Sequence, residues 1–101
     1  MPKAYLVIET EVRDSAALAV YVPQAHAAIE AAGGRRIAPV GAKTIALAGG
    51  APRRIGITEW DSLQQALDWR KSLPFSELAP LRDKAVKTIR VFVIEGAEQA
   101  S

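Results

Sequence analysis

Residues 88–95 read TIRVFVIE, and the apolar side chains fall on both faces that an extended strand presents, Ile89, Val91 and Val93 on one and Phe92 and Ile94 on the other. A strand of that kind has to be covered on both sides. At the opposite end of the chain, residues 3–12, KAYLVIETEV, are rich in β-branched and aromatic types and repeat the pattern, with Leu6 and Ile8 set against Tyr5 and Val7. The first and last strands therefore both ask for helices on one face and for a second cover on the other.

Between these strands the sequence alternates helix and strand signals. Asp14 is a credible N-cap for a helix running to Ala32, in which Leu18, Tyr21, Val22, Ala25, Ile29 and Ala32 recur at three and four, and Gly33 and Gly34 supply the stop. Pro23 removes a backbone donor near the middle and is expected to kink or split this helix. Residues 35–40 and 43–48, RRIAPV and KTIALA, read as one bent edge strand joined through Gly41, with Pro39 marking an edge position or a bulge. After the turn GGAP at 49–52, residues 53–60, RRIGITEW, alternate to place Ile55, Ile57 and Glu59 on one face and Arg54, Thr58 and Trp60 on the other. Asp61 or Ser62 caps a second helix to about Ser72, and Pro74 begins a further helical segment through Leu78, Leu81 and Ala85.

Strand, helix, strand, strand, helix, strand is the order of the ferredoxin-like split β-α-β-β-α-β motif, an α+β fold with a four-stranded antiparallel sheet and helices on one face. Residues 1–96 are assigned to this single domain and 97–101 to a flexible tail. A chain of 101 residues has nothing left to cover the second face, so a sheet-to-sheet homodimer is the economical expectation. Half of the residues are apolar and 24% are charged, with a net charge of +2, an ordinary globular composition. There is no cysteine and one histidine, which excludes disulfides, thiolate catalysis and thiolate zinc sites. No metal or other cofactor is expected, and a cytoplasmic location is the default. The opening apolar run soon meets Glu9, Glu11, Arg13 and Asp14, and gives no reason to expect a membrane. The doublets Arg35–Arg36 and Arg53–Arg54 form no continuous basic stripe, and the third strand offers Gly56 and Thr58 where RNA-stacking aromatics would stand, so nucleic acid is not an expected partner.

Several segments, in their order and spacing, carry a family resemblance: the opening KAYLVIETEV, AIEAAGGRRIA at 28–38, PRRIGITEW at 52–60, ALDWRKSLPF at 66–75 and LAPLRDKAV at 78–86. Together they resemble the small bacterial domain-of-unknown-function family numbered 1330, within the dimeric α/β-barrel superfamily. The resemblance implies a ferredoxin-like subunit whose sheet packs against its twin's to close a barrel. It implies no particular chemistry, since similar barrels include cofactor-free monooxygenases, isomerases and haem-binding enzymes. Trp60 stands where a phenylalanine is more usual, and the stretch at Phe75 and Ser76 lacks a tyrosine often found there.

The candidate ligand-binding residues are Tyr21, His26, Glu59, Trp60 and Arg82. His26 is the only imidazole, the group best suited to proton transfer near neutral pH, and it lies at the boundary of its helix's apolar stripe, where partly exposed histidines commonly sit. Glu59 shares a strand face with Ile55 and Ile57 and matches the family's usual glutamate; near the strand end it can instead reach water or cap the following helix, and its nearest partners are Arg54, Arg70 and Arg82, with Arg82 preferred over Arg70. Arg70 interrupts the apolar stripe of the second helix, and Arg82 matches the arginine of the family's LR pair, so either can reach a carboxylate or an anionic ligand as well as snorkel to water. Trp60 and Trp69 with Tyr21 can line a pocket for a flat apolar ligand, although aromatics at such positions more often only pack. Two functions follow: a dimeric barrel that binds or transforms a small organic molecule between sheet and helices, or a non-catalytic structural or stress-related accessory dimer.

Overall fold

The computed structural model describes residues 2–98. In chain order the elements are β1 (Ala4–Val12), α1 (Ser15–Ala31), β2 (Arg35–Ala38), β3 (Arg54–Trp60), α2 (Leu63–Lys71), α3 (Leu73–Glu77), α4 (Ala79–Ala85) and β4 (Val86–Glu95). The sheet order is β2-β3-β1-β4, and every neighbouring pair is antiparallel. The first and last strands of the chain thus lie side by side at the middle and one edge, the arrangement of the split β-α-β motif.

Register decides which apolar set meets the helices. Leu6 faces Thr58 and Val93, and Ile8 faces Gly56 and Val91, so these residues share one side of the sheet. Leu6 packs there with Trp60, Ala66 and Trp69, and Ile8, Ala28, Ile29, Val91 and Val93 close around them. The opposite side carries Tyr5, Val7, Ile55, Ile57, Phe92 and Ile94. A bulge between Glu9 and Thr10 pairs Glu9 with Arg90 and Thr10 with Thr88, which takes Ile89 out of the alternation expected of it alongside Val91 and Val93.

Local signals explain most boundaries. The Asp14 carboxylate accepts a hydrogen bond from the Ala17 amide at 3.0 Å, and Gly33 leaves α1 at a φ of 95°. The helix runs unbroken through Pro23, so the expected split does not occur. Proline costs one backbone bond there, and packing of the α1 face against sheet and α4 holds the remainder. Ser62 caps α2 by accepting from the Gln65 amide. Ser72 does double duty: its hydroxyl donates to the Trp69 carbonyl at 2.7 Å and accepts from the Phe75 amide, turning the chain into α3.

The expected edge strand over 35–48 is shorter than its sequence pattern. Only Arg35–Ala38 pairs with β3, and residues 43–52 are exposed and irregular, with Leu47 95% and Ile45 69% exposed. Pro39 has no amide to extend the ladder, and the Ala42 amide turns back to the Pro39 carbonyl, so the alternating Ile45 and Leu47 have no strand to pair with. Beyond β4 the Gly96 amide donates to the Lys3 carbonyl at 2.7 Å. Of the tail expected from residue 97 onward, residues 99–101 lie outside the described residues.

Trp60 is wholly buried, stacked on Trp69 with ring centroids 5.9 Å apart, and its indole N–H donates to Thr58 Oγ1 at 2.9 Å. Gly34 makes room for it, because a Cβ at that position would lie 2.7 Å from both Trp60 Cζ2 and Ile29 Cγ2. Gly34→Ala is therefore expected to lose about 1–3 kcal/mol of stability through overpacking. Gly50→Ala, with nothing within 4 Å of the added methyl, should stay within about 0.5 kcal/mol. Urea denaturation of the pair checks this, and equal midpoints would show that the chain does not depend on the close approach at Gly34.

Candidate functional site

A cavity of about 270 Å³ lies between the helices and the sheet. Its floor is formed by Leu6, Ile8, Thr10 and Val91, its roof by Tyr21, Ala25 and His26 of α1, and its far wall by Trp69, Arg70, Phe75 and Arg82. Pro39 and Val40 close the β3 side. Val40 can lie across the sheet there because Gly56 beneath it has no side chain: a Cβ on Gly56 would collide with Val40 Cγ2. A second depression, between residues 10–12 and the chain around Gly41 and Arg53, is open to solvent over most of its surface and encloses nothing.

The far wall is cationic. Phe75 meets Trp69 edge-on at 5.6 Å, and two guanidinium carbons lie against the Phe75 ring, that of Arg82 3.8 Å and that of Arg70 4.2 Å from its centroid. Arg82 is held by two hydrogen bonds, donating through Nε to the Tyr21 hydroxyl at 3.1 Å and through Nη2 to the Phe75 carbonyl at 2.7 Å. Burial, with the neighbouring Arg82 charge adding to it, pushes the Arg70 pKa down, and Tyr21 opposes this. On the floor, Thr10 is only 4% exposed and its Oγ1 has no hydrogen-bond partner among the described residues. Such a hydroxyl is costly to bury unmatched.

Of the residues expected to form the site, Tyr21, His26 and Arg82 line this cavity together, and Glu59 and Trp60 do not. Glu59 lies on the other side of the sheet, opposite Tyr5, where it accepts from Arg35 Nε at 2.8 Å and pairs with Lys3 at 3.5 Å. The Arg35 hydrogen bond lowers the Glu59 pKa, partial desolvation works against it, and Lys3 adds to the lowering. The expected Glu59–Arg82 pair is therefore corrected: strand alternation sends Glu59 away from the helices, and β2 brings an arginine directly opposite it. Trp60 is consumed by the core, turned toward Trp69 and Ala66. Trp69 does line the cavity, as do Phe75 and Arg70. The interruption of the α2 stripe by Arg70 was the sequence signal for that wall, whereas nothing local marks Thr10 or Val40.

His26 sits where α1 passes over β2, with Arg36 Nη1 3.4 Å from its Nε2 and Arg36 also 3.9 Å from Glu30. An arginine can only donate, so Nε2 accepts and the proton of the neutral ring resides on Nδ1. Burial, then the Arg36 charge, lowers the His26 pKa below 6.5, with Glu30 opposing. A depressed folded-state pKa means that the unfolded chain takes up the proton first, so this contribution is present above the unfolded value and is lost as pH falls through the folded one. The melting temperature of the wild type should fall more between about pH 7.5 and about pH 5.5 than that of His26→Gln. Parallel curves for the two proteins would show that the ring is not held neutral by its surroundings.

No curated protein matches the chain. Among the solved structures that resemble it over nearly its whole length are two of one protein. One is the crystal structure of RPA0582, a protein of unknown function from Rhodopseudomonas palustris, with 16% identity and a TM-score of 0.72 over 97% of this chain and 85% of that one. The other is methylated RPA0582, with 16% identity and a TM-score of 0.70 over 99% and 84% of the respective chains. At that identity the likeness speaks for the fold, whose α+β architecture and four-stranded antiparallel sheet agree with the expectation from sequence. The family model described as Domain of unknown function (DUF1330) matches residues 3–97, and the chain belongs to that family.

Proposed function

We propose that the protein binds, and has the side chains to transform, a small organic molecule in the cavity between its sheet and its helices, and that it works as a homodimer. The observation that carries the first part is the wall itself, an apolar chamber with a buried unmatched hydroxyl on Thr10 and an imidazole held below its ordinary pKa. Apolar walls with a few convergent polar groups are the usual makeup of ligand sites. At about 30 Å³ per water-sized unit, the volume suits a compound on the order of ten heavy atoms. With Nε2 facing Arg36 and the proton on Nδ1, the neutral ring can donate a hydrogen bond to such a compound.

The second part rests on the face that the helices leave open. Phe92 is 47% and Ile94 56% exposed, and Tyr5, Val7, Ile55 and Ile57 adjoin them across three strands. The molecule is one helix layer on one sheet, with a shortest dimension of 17 Å. A second copy presenting the same patch would cover it and close a barrel of two sheets. Glu9 at the border of the patch is already satisfied by Arg90 at 2.7 Å and by the Arg53 amide at 2.8 Å, so it brings no unpaired charge to the interface.

Two measurements test these statements separately. Trp69 lines the cavity, so a fragment library read by tryptophan fluorescence should give saturable binders, and Ala25→Leu, which fills the roof, should abolish them while the protein stays folded. A library without a single hit, or hits indifferent to Ala25→Leu, would leave the accessory-dimer reading in its place. Light scattering should give twice the 10.8 kDa chain mass. Phe92→Glu is expected to yield a folded monomer, whereas Val91→Glu, on the helix side, should cost cooperative unfolding. A wild type that is monomeric at micromolar concentration would sink the dimer.

A further inference from the structure

We infer that the ligand of this cavity is a small carboxylate with a compact apolar body, its anionic end received by Arg70 and Arg82 on the Phe75 wall. The inference rests on the proposed binding role of the cavity and adds the chemical class of the ligand. Three observations support it. First, the two guanidinium carbons lie 3.8 Å and 4.2 Å from the centroid of one ring, which brings two cationic groups to the same wall of the cavity. Second, among the described residues no carboxylate lies within ion-pair distance of either arginine, although Arg35, Arg36, Arg53 and Arg90 all have one. Third, both side chains are only partly exposed and border an otherwise apolar chamber, where an attraction between opposite charges is less screened than at the surface.

The donor inventory is consistent with an acceptor arriving from outside. A guanidinium has five N–H groups. Arg82 uses one on the Tyr21 hydroxyl and one on the Phe75 carbonyl, which fix its plane, and Arg70 donates no hydrogen bond to another described residue. The two like charges repel, and that repulsion is part of what lowers the Arg70 pKa. A bound carboxylate would relieve it, accepting from both arginines in charge-assisted hydrogen bonds, while the apolar body lies between Ala25 and Ile8. The Thr10 hydroxyl, unmatched on the floor, offers a hydrogen bond to a second polar atom of the ligand. Tyr21 is a positioning residue in this arrangement, since it holds Arg82.

The test uses matched pairs of equal shape and different charge, 3-phenylpropanoate with 3-phenylpropanamide and 4-methylpentanoate with 4-methylpentanamide, titrated calorimetrically near neutral pH. The wild type should bind each acid about 10-fold or more tightly than its amide, and added salt should weaken the acids alone. Arg70→Gln and Arg82→Gln should each bring the acid-to-amide ratio close to one while leaving amide affinity within about 3-fold. Should Arg82→Gln fail to fold, Arg82→Lys, which keeps the charge without the planar fork, is expected to retain a reduced preference for the acid, and Arg70→Gln carries the decision. Acids and amides binding alike, or a preference that survives both glutamine variants, would overturn the carboxylate assignment and leave the cavity as a binding site for neutral compounds. If neither acids nor amides bind the wild type, the carboxylate assignment falls, and the fragment library decides the binding role of the cavity.

Discussion

Trp60 lies flat against Trp69, Trp69 meets the edge of Phe75, and Phe75 carries the guanidiniums of Arg70 and Arg82, so one file of contacting rings runs from the sheet through α2 and α3. Its inner end is core and its outer end is cavity wall. The inner end depends on Gly34, which lets the chain entering β2 come against the indole, and on Thr58, which takes the indole proton. Ser72 secures the outer end by tying the end of α2 to the start of α3. Because close-packed interiors yield little, a shift anywhere along this file would move the arginines.

The cavity is what remains when that file props the short helices away from the sheet on one side and α1 presents small residues on the other. Ala25 is the buried α1 residue that lines the cavity, and it is too small to fill the space above Ile8 and Thr10. Gly56 contributes in the same way, admitting Val40 as a side wall where a larger strand residue would have excluded it. An unfilled space of this size forfeits dispersion contacts, and its polar groups are those suited to hold a ligand. Charge is divided between the two faces accordingly: Glu9 and Glu59 and their basic partners lie on the open side of the sheet, and the helix side of the cavity has guanidiniums without carboxylates.

What was legible in the sequence followed from periodicity and local chemistry. Strand alternation sorted Leu6 and Ile8 from Tyr5 and Val7, the three-and-four spacing marked α1, and Asp14, Ser62 and Gly33 marked helix ends, since each of these depends on neighbours within one turn or one pleat. Tyr21 and His26, read from their helix, and Arg82, to which the family resemblance pointed, all line the cavity. Residues whose role depends on what lies opposite were not legible in this way. Ile45 and Leu47 alternate as a strand would, but no strand stands beside them; Ile89 belongs to the pattern of β4, but the bulge removes it.

Glu59 shows where the two kinds of information separate. Its position on the face with Ile55 and Ile57 was determined by the sequence alone, because side-chain direction in a strand has a period of two. Which of the two faces the helices cover, and hence that Glu59 meets Arg35 and not Arg82, was decided only by the tertiary structure. Both faces are apolar enough to be buried, so no local preference distinguishes them, and the choice falls to the packing of Trp60 and Leu6 beneath α2. Composition, helix caps and strand alternation are properties of neighbours along the chain. The cavity, its unmatched hydroxyl and its two arginines join residues from Leu6 to Val91, and only the folded chain brings these together.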